Sequence, residues 1–167
     1  MIKKILFVMV VVSLVATTCF AKISSSQIAL GGLRPGVTLE YAESIYGPPK
    51  ILPINWPNGK PKNAPSVVYQ FGDSFYCWSN FLKIYTDANN SISTPDGITV
   101  GSSEADVINK YGQPDDSGYK NPDGQSALGF KPYDYILTYH ASDSNFLTMM
   151  FNIKSGKVVY IEIMAIP

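Results

Sequence analysis

The chain has 167 residues, with 13 basic and 13 acidic side chains, so its formal net charge at pH 7 is zero. A neutral chain has no basic field to hold nucleic acid or an anionic membrane surface, and the prediction excludes both as partners. Beyond residue 21 the one cysteine is Cys77, so we expect no internal disulfide and a hydrophobic core that supplies the stability.

The first 21 residues have the layout of a secretory signal peptide. Two lysines form a short positive region, residues 5–16 are almost entirely apolar, and Ala21 is a small residue before the expected cut. The apolar run is shorter than the roughly 20 residues that a membrane-spanning helix needs. We therefore predict an exported protein, secreted or held in the periplasm or cell envelope. Cys19 leaves open a lipoprotein, cut before the cysteine and anchored to a membrane by lipid.

A short helix is predicted between a glycine turn and a glycine stop. Gly36 permits a tight turn, and Thr38 is placed to accept backbone N–H groups of the following turn as an N-cap. Apolar residues at helical spacing run as far as Tyr46. Gly47 then ends the helix in a left-handed conformation, and two prolines prevent its continuation.

The same signals recur further along the chain. Ser103 takes the N-cap position, Asp106 completes a capping box in place of the usual Glu, and Gly112 is the stop. Five positions are identical in the two segments: 32/97, 36/101, 46/111, 47/112 and 49/114. We interpret the recurrence as an internal copy, with one unit over residues 28–95 and a second over residues 96–167.

Three strands are predicted after each helix. They cover residues 67–71, 75–78 and 81–86 in the first unit and residues 135–140, 146–152 and 158–163 in the second. Residues 50–65 and 115–132 are predicted to be loops because they are dense in turn-forming residues. The predicted fold class is α+β: two tandem αβββ repeats that form a continuous antiparallel sheet with short helices on one face.

The motif common to both units resembles that of a known superfamily. Gly32, Gly36-Val37-Thr38, a short helix and Tyr46-Gly47-Pro48-Pro49, followed by strands, resemble the β-lactamase inhibitor proteins and the outer-membrane assembly lipoprotein BamE. The tandem arrangement, over about residues 28–165, is more similar to the two-repeat inhibitors. That resemblance implies a non-enzymatic binding or inhibitory module whose concave, aromatic-rich sheet face grips a partner protein. The BamE-like alternative implies a structural cell-envelope protein.

Residue types that carry catalysis or bind metals are sparse. His140 is the one histidine, and a metal site usually needs several ligands. Asp115 and Asp116 are adjacent in a predicted loop, which favours a solvated turn over a paired acid and base. Cys77 alternates with aromatic residues in an apolar strand, which favours a buried, inert thiol. We therefore predict no catalytic residue, no metal and no cofactor.

Alternation along the last strand of each unit separates two faces. Leu82 and Ile84 share one face of their strand, and in the second unit Val159, Ile161 and Ile163 do the same. We expect these aliphatic faces to meet the helices. Val158 is expected on the opposite face.

The face away from the helices is predicted to carry aromatic rings and two charges, provided that Cys77 points inward. Such a mixture is typical of surfaces that bind proteins, so the predicted partner is another protein. The predicted binding residues are Tyr76, Trp78, Phe81, Lys83, Tyr85, Tyr160 and Glu162. The alternative is that these rings only cover the sheet as cross-strand pairs.

Overall fold

The computed structural model describes residues 22–56, 59–62, 64–118 and 132–166. The predicted signal peptide and Cys19 lie outside the described residues. Within these ranges the chain forms two short α-helices and one open antiparallel sheet of eight strands, an α+β architecture. No helix in this part of the chain is long and apolar enough to cross a bilayer.

The sheet joins the two halves of the chain at its centre. The strand order is β1-β2-β3-β4-β8-β7-β6-β5, so β4 pairs with β8 and the first strand of each half lies at an edge. The elements are α1 (Leu39–Tyr46), β1 (Lys50–Pro53), β2 (Val67–Phe71), β3 (Phe75–Trp78), β4 (Lys83–Thr86), α2 (Glu104–Tyr111), β5 (Asp116–Gly118), β6 (Tyr135–His140), β7 (Leu147–Lys154) and β8 (Lys157–Ala165).

Both helices begin and end at the residues that the sequence indicates. Thr38 Oγ1 accepts a backbone N–H from the first turn of α1 at 3.2 Å. Ser103 Oγ accepts the Asp106 N–H at 3.1 Å, and the Asp106 carboxylate accepts the Ser103 N–H at 2.9 Å, so the capping box is confirmed. Gly47 and Gly112 both have φ near 76°, a conformation that favours glycine and ends each helix.

Two strands lie where the sequence predicted loops. β1 and β5 each pair with the neighbouring strand of their own half, with Ile51 opposite Tyr69 and Ser117 opposite Leu137. Each half therefore contributes four strands rather than the predicted three. An edge strand makes hydrogen bonds to a neighbour on one side alone, so it tolerates turn-forming residues such as Pro53. These residues led the sequence analysis to predict loops instead of strands.

One hydrophobic core fills the face of the sheet that carries both helices, which we call the inner face. Ala42 of α1 and Val107 and Tyr111 of α2 are buried in this core. The Tyr111 ring lies 5.6 Å from that of Phe151, and Cys77 is fully buried among the same residues, as predicted. Each large apolar side chain buried in this way stabilises the fold by about 1.5–3 kcal/mol.

Phe81 lies on the opposite face from the one predicted. Its φ is 52°, and β4 begins only at Lys83, so the strand alternation does not extend back to it. The ring is 3% exposed and belongs to the inner-face core, 5.8 Å from the ring of Tyr69. The prediction was wrong here because it assumed that the strand began two residues earlier.

A bulge in β8 reverses the predicted faces of two valines. Ile153 pairs with Val158, whereas the preceding Asn152 pairs with Tyr160, so Val159 is an extra residue in the ladder. Val158 consequently points into the inner-face core in place of Val159. Past the bulge the predicted alternation holds, and Ile161 and Ile163 are core residues.

Candidate functional site

Six of the seven predicted binding residues lie on the face of the sheet opposite the helices, which we call the outer face. Cross-strand pairing places them side by side: Tyr76 is opposite Tyr85, and Tyr85 is opposite Glu162. Trp78 is on the same face because Cys77, its neighbour in β3, points into the inner-face core. The central strands β3, β4 and β8 thus bring this set together.

Three tyrosines form a continuous stack across the outer face. The rings of Tyr76 and Tyr85 are stacked with centroids 4.9 Å apart, and Tyr160 tilts against Tyr85 at 5.5 Å. Such ring pairs add about 0.5–1.5 kcal/mol each beyond the area that they bury. The stack therefore holds the two halves together where β4 meets β8.

An ion pair lies at the end of the tyrosine stack. Lys83 Nζ is 2.7 Å from Glu162 Oε2, and the side chains are only 12% and 8% exposed. The Tyr160 hydroxyl donates to the same carboxylate oxygen at 2.8 Å, and the Lys83 ammonium lies 5.3 Å from the centre of the Trp78 ring. Burial and the nearby carboxylate raise the pKa of Tyr160 well above its ordinary value, so this hydroxyl remains a donor.

Much of the predicted set is closed to a partner. Tyr85, Tyr160 and Glu162 are 5%, 1% and 6% exposed, whereas Tyr76, Trp78 and Lys83 remain partly exposed. The three buried residues are neighbours across β4 and β8, with Tyr85 opposite Glu162 and its ring against that of Tyr160. Alanine at Tyr85 or Tyr160 would therefore perturb stability before it altered a binding surface.

A groove of about 360 Å³ opens beside the ion pair, at one end of the outer face. We call it the Trp groove and define it by six of its lining residues: Trp56, Trp78, Leu82, Lys83, Met164 and Ile166. Two of these residues, Trp78 and Lys83, belong to the predicted set. Leu82 was predicted on the helix-facing side with Ile84, which is wrong because the regular strand begins only at Lys83. The other three were not predicted.

The segment after β1 forms one wall of the Trp groove. Trp56 Nε1 donates to the Pro65 carbonyl at 3.1 Å, which closes the segment on itself. The Trp56 ring then meets the Trp78 ring nearly edge-on, with centroids 6.3 Å apart. Trp78 Nε1 is shielded from solvent and has no acceptor among the described residues.

The end of β8 supplies the opposite wall. Met164 follows Glu162 on the outer face, and Ile166, two residues further, is 52% exposed. The Ile166 N–H donates to the Phe146 carbonyl at 2.8 Å, and the Phe146 side chain is 59% exposed. Two large apolar side chains are therefore open to solvent where the outer face ends.

The remaining candidate residues have structural surroundings. His140 is exposed at the end of β6, and its Nδ1 is 3.0 Å from Thr148 Oγ1. The backbone N–H of His140, not its ring, donates to the Asp115 carboxylate at 2.7 Å. The Asp115 carboxylate thus binds the backbone at the last residue of β6, and Asp116 is the first residue of β5. Burial raises the pKa of the Cys77 thiol. Among the described residues, no three His, Cys, Asp or Glu side chains converge as metal ligands would.

Comparisons with known proteins add no relative to the resemblance in the helix and turn motifs. No protein-family model matches the chain, and neither a curated protein nor a solved structure does so.

Proposed function

We propose that the protein is an exported, non-enzymatic binding or inhibitory module that grips a partner protein through the Trp groove. The observation that carries this proposal is the placement of the tryptophans: the chain has two, and both line this one concave surface. Tryptophan is enriched among the few residues that dominate binding energies at protein interfaces. The proposed binding site is therefore the end of the outer face and not its buried centre.

The fitting element of a partner is an extended segment with an apolar side chain next to a carboxylate. Rings and aliphatic side chains form the walls, and the volume of about 360 Å³ suits one large side chain. None of the described lining residues is acidic, and the charge of Lys83 is already offset by Glu162. The other cation that lines the groove is the exposed Lys62. This charge favours an acidic neighbour on the partner segment.

The proposal includes an origin by internal duplication. Two observations support it: each half has one capped helix followed by four strands, and the strand order is symmetrical about the β4–β8 pair. The likeness to the two-repeat inhibitor proteins belongs to the same proposal. A shared sheet lets two small units bury a larger core than either would alone.

A peptide selection tests the function even though the partner is unidentified. A displayed random-peptide library is selected on the protein without residues 1–21, and synthesised binders are titrated by tryptophan fluorescence. We expect enriched peptides to combine a large apolar residue with Asp or Glu, and to change the emission. Trp56→Ala should weaken binding about 30-fold, the equivalent of about 2 kcal/mol.

Tyr41→Ala is the matched control, because this ring is 49% exposed on α1 and does not line the groove. It should leave peptide affinity unchanged. If a folded Trp56→Ala variant binds as tightly as the parent, the groove is not the site.

Mass spectrometry of the mature chain addresses export: a free terminus after Ala21 supports the module, whereas a lipidated Cys19 favours the structural envelope protein.

A further inference from the structure

A second cleft lies where the segment before α1 meets the segment between β4 and α2. Its volume is about 440 Å³, and it shares no lining residue with the Trp groove. We propose that this cleft, which we call the Arg34 cleft, binds a small ligand through an oxyanion, either a carboxylate or a phosphate. The proposal does not depend on the function proposed above.

Backbone contacts hold the two segments together at the base of the cleft. The Gly31 N–H donates to the Ser93 carbonyl at 2.8 Å, and the Tyr46 hydroxyl donates to the Gly31 carbonyl. A side chain at position 31 would meet the Tyr46 hydroxyl, whereas nothing lies within 4 Å of the place where a Cβ would stand at Gly32. The backbone at Gly32 is therefore open to a ligand.

The side chains that can donate hydrogen bonds into the cleft make few hydrogen bonds within the protein. Arg34 is the one charged side chain among the described lining residues, and its Nη2 donates to the Ser26 carbonyl at 3.2 Å. A guanidinium has five N–H donors, so most of them remain available for a ligand. The hydroxyls of Ser91 and Ser93 make no side-chain hydrogen bond with any described residue.

This donor set selects the chemical class of the ligand. The planar fork of a guanidinium matches two oxygens of a carboxylate or a phosphate, and the serine hydroxyls can reach the remaining oxygens. The carboxylate of Asp96 accepts from Gln27 Nε2 at 3.2 Å and does not line the cleft. A positively charged ligand would meet Arg34 without a lining carboxylate to offset it.

Amide chemical shifts measured during a titration test the proposal. The protein without residues 1–21 is titrated with inorganic phosphate and, separately, with glucuronate, against chloride at equal ionic strength. We expect saturable shifts at Gly31, Gly32 and Ser93 with at least one of the two probes. Phosphate alone, glucuronate alone or both would each support an oxyanion site and identify its source.

Two variants and a control complete the experiment. Arg34→Gln should weaken binding about tenfold or more, since it removes a charge-assisted donor. Ser93→Val should also weaken binding, because it removes a hydroxyl and adds a methyl group within the cleft. Lys154→Gln, an exposed cation on β7, should bind as the parent does. Absence of saturation with both probes, or equal affinity in folded Arg34→Gln, would overturn the proposal.

Discussion

Removing the buried carboxylate of Glu162 should destabilise the protein, because it leaves the Lys83 ammonium without this counter-charge. Lys83 Nζ is 2.7 Å from Glu162 Oε2, and both side chains are nearly excluded from solvent. Removing one member of such a pair typically costs 3–5 kcal/mol, because the other charge remains in a medium that solvates it poorly. The Trp78 ring lies against the Lys83 ammonium, so we take the lower end of this range for Glu162→Leu, about 3 kcal/mol.

Replacing both charges should restore most of the lost stability. In Lys83→Met with Glu162→Leu no buried charge remains at this position, and side chains of similar length fill the space. The Tyr160 hydroxyl, which donates to Glu162 at 2.8 Å, loses its acceptor in the double variant. We therefore expect a residual cost of about 1–2 kcal/mol in the double variant, well below the sum of the costs of the two single variants.

Urea unfolding followed by circular dichroism and tryptophan fluorescence measures the cycle. Glu162→Leu should also lower Tm by about 6–12 °C, at about 2–4 °C per kcal/mol for a chain of this size. Lys154→Met, at an exposed position on β7, is the control and should stay within about 0.5 kcal/mol of the parent. If the costs of the two single variants add in the double variant, the two charges are not coupled and the reasoning fails.

Two further predictions concern titration and reactivity. Hydrogen bonds from the Ser103 side chain and backbone lower the pKa of Asp106 below its ordinary 3.8. Its contribution to stability is therefore present above that value and lost as the pH falls through the folded pKa. In urea unfolding, Asp106→Asn should be less stable than the parent at about pH 6, and the gap should narrow as the pH falls below the ordinary pKa of 3.8; a gap independent of pH would contradict this. The Cys77 thiol is fully buried, so in a Cys19→Ser background a thiol reagent should label it only after unfolding. Rapid labelling of the native protein would show that the site opens.

Local signals in the sequence predict the helices and the internal strands well. Thr38 and Ser103 are caps whose hydrogen bonds involve residues within one turn, so a short window of sequence contains the whole interaction. The hairpin at Ser155 and Gly156 is equally local, and both residues have the positive φ that such a turn requires. The edge strands were missed because their pairing partners, not their own residues, define them.

The candidate site could be predicted only in part. Alternation placed Tyr85 and Glu162 on the outer face, but it contains no information about what covers that face. The Val159 bulge is likewise invisible in the alternation pattern, since it depends on the partner strand β7. Trp56 stands out in a loop rich in Pro and Asn, yet nothing in its neighbours places it against Trp78.

The edge strand β1 has a consequence for self-association. Ile54 N–H donates to the Ser66 carbonyl at 2.9 Å, which fixes the ladder so that the backbone groups of Ile51 and Pro53 point away from β2. Proline has no N–H, so this edge presents a single outward donor, at Ile51. A second chain arriving as an added strand would find an incomplete ladder. At high protein concentration this edge therefore resists edge-to-edge pairing with the sheet of a second chain.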